Sequence, residues 1–497
     1  MLLRQTVLYL PAQLLGPIFQ LISVFAWTHV LSPTDMGTFA LVNAAQELAF
    51  TVTLSWFSLY IVRYFDAAAE PVDRNRFHAT ESLVLLAGSL VTASAFLVVP
   101  IGGGVALTGP LLVSATAFAV TRALVSYLAD RARTQHDTLT YTVLQSGGPV
   151  GGFFAGLTLV SIFAPSATVV LAGYALAQLA SLALAACRLT FGWNPQLASR
   201  DILRSALTYG LPLLVGGLLV WVAANGVRYL VEWKDGIAAV GLVTVGWALG
   251  LRAAQFAAML TTAAAFPLAV KRARESGLAA GQAQLIDNGI LLLAVLAPAV
   301  VGLYVIGPPL IALIVAADYR AITTAVLPMA LATGALRAFR VHFTNQVFLL
   351  NEAPRIVVLN DGLDAALTLI LGGLGLWLGG ILGCVGGVTL GAAVTLAIGT
   401  VAAARTYRFA FPLNALFRIA AATVLMALSV LAFAPTASPL ALTLAIALGS
   451  AVYAAALAIL FPAHARRTAS LLQSLFGRAA LPGLAPLPRP QPNEPAP

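Results

Sequence analysis

Charge is what this sequence lacks most. Asp, Glu, Lys and Arg make up 9% of its 497 residues, against about 25% in soluble globular chains. A chain this short of charge cannot clothe itself for water. Its 60% hydrophobic content and mean hydropathy of +0.93 place it in a bilayer. Lysine is rarer still, with Lys234 and Lys271 the only two. Neither follows a glycine, so there is no GK[ST] phosphate loop and the chain cannot be its own ATPase. The two cysteines, Cys187 and Cys384, are predicted at opposite membrane faces and are not expected to pair. No metal-ligand spacing occurs among cysteines and histidines, and no cofactor is expected. Strand-like alternation is missing, which argues against an outer-membrane barrel. The net charge of +9 is spread over loops rather than gathered on one soluble face, so no nucleic-acid partner is expected.

What is present is a series of apolar runs of roughly 20 residues, the length a membrane-crossing helix needs. Fourteen are predicted: 8–31, 37–62, 80–100, 107–129, 138–163, 168–187, 206–231, 238–266, 284–306, 321–350, 356–378, 385–404, 419–433 and 440–461. Of the 27 lysines and arginines, twenty fall in one set of connecting loops and only Lys234 and Arg320 in the other. Positive charge stays in the cytoplasm, so both termini are expected there. The first helix is read as uncleaved, for lack of a small-residue cleavage site. The longest outward connection runs from Gly307 to Arg320 and is read as partly re-entering the membrane. That leaves no space for a cytosolic catalytic domain or a large external catalytic loop. The tail after Phe461 is read as a short basic amphipathic helix followed by a disordered Pro-rich end.

An internal repeat is legible. YLPAQLLGPIF (Tyr9–Phe19) parallels YGLPLLVGGLL (Tyr209–Leu219), and MGTFALVNAAQEL (Met36–Leu48) parallels VGLVTVGWALGLR (Val240–Arg252). Six helices separate the copies, so both have the same orientation. This predicts an all-α polytopic membrane protein of about 14 transmembrane helices, with two parallel six-helix lobes plus two extra C-terminal helices. The divisions are 1–200 and 201–408 for the lobes, 409–462 for the added helices and 463–497 for the tail. A binding site between the lobes is the usual consequence.

Five arginines lie inside predicted helices: Arg122, Arg228, Arg252, Arg337 and Arg340. Each costs about 2.5–3.5 kcal/mol at a helix centre unless it faces protein or water. Their spacing gathers polar residues onto shared faces. Thr333, Arg337, Arg340 and Thr344 form one stripe, and Trp221, Asn225, Arg228 and Glu232 another. Arg252 with Gln255, Asn43 with Gln46 and Glu47, Asn360 with Asp361 and Asp364, and Gln13 with Gln20 form four more. Two readings stand. The residues hold helices together through ion pairs and hydrogen bonds, or they line a cavity. Glu47, Asp361 and Asp364 do not balance five arginines, and the excess suits an anion, since the guanidinium fork matches phosphate. Arg228, Arg252, Arg337 and Arg340 are the candidate anion ligands. Trp221, Asn225, Gln255, Asn43 and Gln46 would suit sugar faces and hydroxyls. Glu47 is the candidate titrating acid.

Several of these segments resemble lipid-linked oligosaccharide flippases, the polysaccharide-biosynthesis transporters of the multidrug/oligosaccharidyl-lipid/polysaccharide exporter superfamily. FAWTHVLSPTDMGTFALVNA (Phe25–Ala44) resembles their first hairpin, with its L-x-P-x-[DE]-[FYM]-G turn. YGLPLLVGGLL followed by GIAAVGLVTVGWALGLR resembles the start of their second lobe. VAADYRAITTAVLPMALAT (Val315–Thr333) resembles the segment leading into their tenth helix. LNEAPRIVV (Leu350–Val358) is similar to their next short loop, although NEAPR departs from the usual G-[RK]-P turn. The resemblance implies the twelve-plus-two-helix fold and a bacterial inner-membrane location. It also implies an undecaprenyl-pyrophosphate-linked glycan as substrate, with membrane lipids and polysaccharide polymerase or chain-length machinery as partners. The pyrophosphate would then meet the four arginines. No universal catalytic residue exists to be carried over, and no enzyme activity is expected. A multidrug or cation antiporter of the same superfamily, a lipid II flippase and an integral-membrane enzyme of polysaccharide assembly remain as alternatives.

Overall fold

The computed structural model describes residues 2–65, 71–98, 108–262, 265–407 and 413–462, with backbone alone for 2–14, 71, 72 and 260. The predicted tail helix and Pro-rich end, and the Gln13 side chain, lie outside the described side chains. Among the described residues every regular element is helical. Helix α1 (Leu2–Thr28) turns into α2 (33–64) at Ser32-Pro33. Ser32 Oγ accepts the Asp35 backbone N–H at 3.1 Å, and Pro33 takes the first helical position, where its missing N–H is not needed. Helices α3 (Pro71–Val98), α4 (Gly109–Thr134), α5 (Thr138–Ile162) and α6 (Ala167–Arg188) follow.

Helices α7 (200–235) and α8 (237–262) form one rod broken at Gly236, whose φ of 80° and ψ of 179° suit glycine alone. Then come a short basic helix, α9 (Ala265–Ser276), α10 (Leu278–Ile314) and α11 (Ala317–Leu350). Helices α12 (354–378) and α13 (381–407) part at Gly379–Gly380, and α14 (Leu413–Phe433) and α15 (Pro439–Leu460) close the chain. Among the described residues, three π turns widen the helices at Thr51–Ser55 in α2, Gly147–Gly151 in α5 and Arg340–Thr344 in α11.

Among the described residues, ten helices are long and apolar enough to cross a membrane by length and composition. Two of those ten are the rods α7–α8 and α12–α13, each carrying two of the predicted segments. Helix α2 is not among the ten, because Asn43, Gln46 and Glu47 interrupt its apolar run. The re-entrant connection expected at Gly307–Arg320 is instead mostly helix: α10 continues through Pro308 and Pro309 to Ile314. The segment is itself apolar, and membrane helices tolerate proline where neighbours satisfy the freed backbone groups.

Helix α2 packs on both halves of the α7–α8 rod. The Trp221 indole donates to the Ala44 carbonyl at 2.9 Å. At its start α2 crosses α8 with no room for side chains. A Cβ on Gly37 would stand 2.0 Å from the Ile237 carbonyl oxygen, and one on Gly241 would stand 2.0 Å from that of Pro33. The contact is reciprocal, because 33 and 37 correspond to 237 and 241 in the repeat. Beside it, Thr28 Oγ1 accepts the Ala316 N–H at 3.1 Å, the Tyr319 hydroxyl donates to the Leu31 carbonyl at 2.8 Å, and His29 Nε2 lies 3.1 Å from the Ile314 carbonyl.

Arg131, expected in a basic loop, is fully buried. The chain after α6 folds back over it. Its guanidinium pairs with Glu81 at 3.1 Å, donates to the Thr190 carbonyl and lies 4.9 Å over the Phe191 ring. Tyr127 donates to the same carboxylate at 2.9 Å.

Candidate functional site

The polar stripes do not converge on one place. They divide between a cavity and a closed ion-pair network. The cavity, of about 300 Å³, lies among α1, α2, α4, α5, α6, α7 and α8. Helix α2 contributes Asn43, Gln46 and Glu47, α7 contributes Arg228, and α8 contributes Arg252. Arg122 and Ser126 of α4, Gln20 of α1, Tyr174 and Gln178 of α6 and Thr244 of α8 also line it. Two of the π turns border it, through Thr51 and through Gly148 and Pro149. Such turns add one residue to the helical circuit and recur at functional sites.

Three guanidiniums therefore face one carboxylate. None of the three lies within 4.0 Å of an acid; every ion pair among the described residues is elsewhere. Asn225 links the two charge types. Its amide donates to Glu47 at 3.2 Å, and its carbonyl oxygen accepts from Arg228. Arg228 Nε and Arg252 Nη1 are buried without a hydrogen-bond partner. A buried guanidinium nitrogen without an acceptor is costly, and an anion in the cavity would supply acceptors. Gln178, whose carbonyl oxygen accepts from Thr121 at 2.6 Å, is a lining residue that the sequence analysis missed. A lone amide inside the apolar run of α6 was the available signal.

Arg337 and Arg340 are not brought to this cavity, contrary to the expected four-arginine anion site. Arg337 Nε donates to Asp364 at 3.0 Å and its Nη2 to Thr368 at 2.8 Å. Arg340 reaches Asp361 at 2.7 Å and Asp364 at 2.9 Å. The acidic stripe of α12 faces α11 directly, so two carboxylates neutralise two guanidiniums on the spot. Gln255 is also misassigned. It is exposed and does not line the cavity, because three helical steps from Arg252 rotate it about 60° away. Trp221 is spent on the α2–α7 contact and packs beside Tyr229, with ring centroids 5.6 Å apart and planes tilted by 52°. Asn225 acts behind Arg228 rather than at the cavity surface.

Among the described residues no group of three His, Cys, Asp or Glu is placed to hold a metal ion. Cys187 and Cys384 are both free.

A family model described as polysaccharide biosynthesis protein matches residues 2–273. No curated protein sequence matches the chain. The lipid II flippase MurJ, in an inward closed conformation, superposes with a TM-score of 0.71 at 13% identity, covering 92% of this chain and 99% of that one. A multidrug resistance MATE transporter of the MOP superfamily superposes in its inward-facing conformation with a TM-score of 0.53 at 16% identity, covering 80% and 97%. Both neighbours are transporters rather than enzymes, and at these identities the likeness is one of fold. With the family model matched over more than half of its length, the chain belongs to the polysaccharide biosynthesis protein family and has the polytopic helical fold of MOP-superfamily transporters.

Proposed function

We propose that the protein is a flippase moving an undecaprenyl-pyrophosphate-linked oligosaccharide from the cytoplasmic to the periplasmic leaflet of a bacterial inner membrane. The observation that carries this reading is the unpaired charge of the cavity, where Arg122, Arg228 and Arg252 face the single acid Glu47. A drug or cation antiporter would want the opposite sign. The loop-charge asymmetry supports cytoplasmic termini, and the reciprocal repeat contact supports two lobes at 1–200 and 201–408. In that orientation the Gly37–Gly241 crossing and the Thr28, His29 and Tyr319 hydrogen bonds close the periplasmic end.

At about 300 Å³ the cavity is at the small end of ligand sites, which run from roughly 300 to 1,000 Å³. It suits the pyrophosphate and the sugar next to it, with Asn43, Gln46, Gln20 and Gln178 around them. Rocking of the lobes would admit the rest of the glycan, while the prenyl tail stays in lipid. Glu47, the one acid of the lining, would couple transport to an ion. A second reading, lipid II as the substrate, is favoured by the MurJ fold likeness. Essentiality for growth separates it from capsule, O-antigen or exopolysaccharide export.

The test is a strain lacking the protein, probed with a periplasm-restricted enzyme that cleaves lipid-linked glycan. The proposal expects the glycan to accumulate in a form the enzyme cannot reach. Accumulation of accessible, unpolymerised glycan would place the block at a later step, and no change at all would favour a drug substrate.

A further inference from the structure

A second concavity lies on the outside of the bundle, behind the wall that α2 gives the central cavity. Its volume is about 630 Å³, and α2, α3 and the start of α7 enclose it. Val52, Leu83, Val91 and Leu203 make it apolar, and all four are exposed on the lipid-facing surface. It runs along α3 from Thr80 to Val91, which at 1.5 Å per residue is about 16 Å. Half the hydrocarbon core of a bilayer is about 15 Å deep. The groove thus matches an acyl chain of a single leaflet and is much too short for a C55 prenyl chain.

The mouth is basic. Arg200, exposed, lines it, and the exposed Arg76 stands one turn before Thr80 on the same face of α3. The positive end of the α7 dipole adds to this field. Of the acids close in sequence to these arginines, Asp201 lines a neighbouring hollow with Arg204, and the exposed Asp73 stands three residues before Arg76. Trp193, 84% exposed just before this mouth, is the residue type that marks the lipid–water interface. The wall is fixed in place, since the Ser199 N–H donates to Thr80 Oγ1 at 2.8 Å.

We infer that this groove binds one anionic phospholipid of the adjoining leaflet, with its acyl chain along α3 and its phosphate at Arg200 and Arg76. The site is distinct from the substrate cavity, although the π turn of α2 separates the two: Thr51 lines one and Val52 and Thr53 line the other.

Trp56 lines the groove and supplies the probe. Purified full-length protein in detergent would be titrated with phosphatidylglycerol or phosphatidylcholine carrying the same brominated acyl chains. Subtracting the response of Trp56→Phe isolates the quenching of Trp56. The inference expects saturable quenching, at least fivefold tighter for phosphatidylglycerol. Arg200→Gln should remove that preference, and Ala87→Phe, which fills the groove from an exposed position, should abolish the quenching. Equal quenching by both lipids in the unmodified protein would mean a non-selective annulus and overturn the inference. Persistence of quenching in Ala87→Phe would do the same. Displacement by undecaprenyl phosphate, but not by unbrominated phosphatidylglycerol, would reassign the groove to the carrier lipid.

Discussion

Arg252 and Arg337 carry the same charge in the same bilayer, and what surrounds each sets its role. Arg252 lines a cavity and has a buried nitrogen with no acceptor, while Arg337 is held by Asp364 and Thr368. Arg252→Gln is expected to leave folding intact and to lower export about 10- to 100-fold, from the loss of one charge-assisted contact of about 1.5–3 kcal/mol. Arg337→Ala is expected to cost about 1.5–3 kcal/mol of stability by removing the charge-assisted hydrogen bonds to Asp364, which keeps only Arg340 as its partner. Thermal unfolding in detergent, read beside export at matched protein level, separates the two outcomes. The periodicity of the polar stripes was legible in the sequence. Which stripe would meet an acidic partner was not, because that depends on the rotation of α12 against α11.

Asp137 gives a pH prediction. It caps α5 and meets Arg188 at 3.1 Å. Partial burial pushes its carboxyl up, but hydrogen bonds from Arg188 and from the Thr140 hydroxyl and N–H outweigh this and hold it at about 2. A depressed acid contributes stability above its unfolded value, near 4, and loses it as the pH falls through 2. Asp137→Asn should therefore melt lower at neutral pH, by about 1 kcal/mol for the weakened cap and exposed ion pair. It should also show a smaller further loss between pH 4 and 2 than the unmodified protein, as measured by thermal melts across that range.

Among the elements, the α2–α8 crossing leaves no room for side chains, and in the proposed transporter it would seal the periplasmic end. The repeat registered Gly37 with Gly241 in the sequence, but the contact between them needed the fold. Replacing Gly241 with leucine would drive a side chain into the Pro33 carbonyl and splay the crossing. In a Cys187→Ser background, a cysteine at the lining residue Ala40 should become more reactive to a membrane-impermeant thiol reagent added from the periplasmic side. Unchanged reactivity would remove the crossing from the seal. Helix boundaries were least legible where proline misled: Pro308 and Pro309 read as a loop, yet the apolar run carries α10 through them. The breaks at Gly236 and Gly379–Gly380 fall where the apolar runs were expected to pause. Arg131 was misplaced because nothing local announces that Thr190 and Phe191 fold back over it.

In the molecule as a whole, three arginines and one acid line a cavity inside a helical bundle that small-residue contacts and a few hydrogen bonds hold together beside it. An interior-negative potential favours outward movement of an anion by about 2.3 kcal/mol per charge per 100 mV if the whole field is crossed. Collapsing the potential should therefore slow export without altering binding. The polytopic helical class was legible from composition and loop charge. Of the three arginines that line the cavity, Arg228 and Arg252 belonged to polar stripes in the sequence, whereas Arg122 stood alone on its helix and only the approach of α4 to α7 and α8 brings it there.

The most direct test of the central claim is flipping by purified protein in liposomes. A polyprenyl-pyrophosphate-linked oligosaccharide would be placed in the inner leaflet and its appearance outside followed with an external glycosidase. The account predicts protein-dependent exposure that falls at least tenfold in Arg252→Gln, with the melting temperature unchanged. Exposure at the same rate in that variant, or in protein-free liposomes, would contradict it.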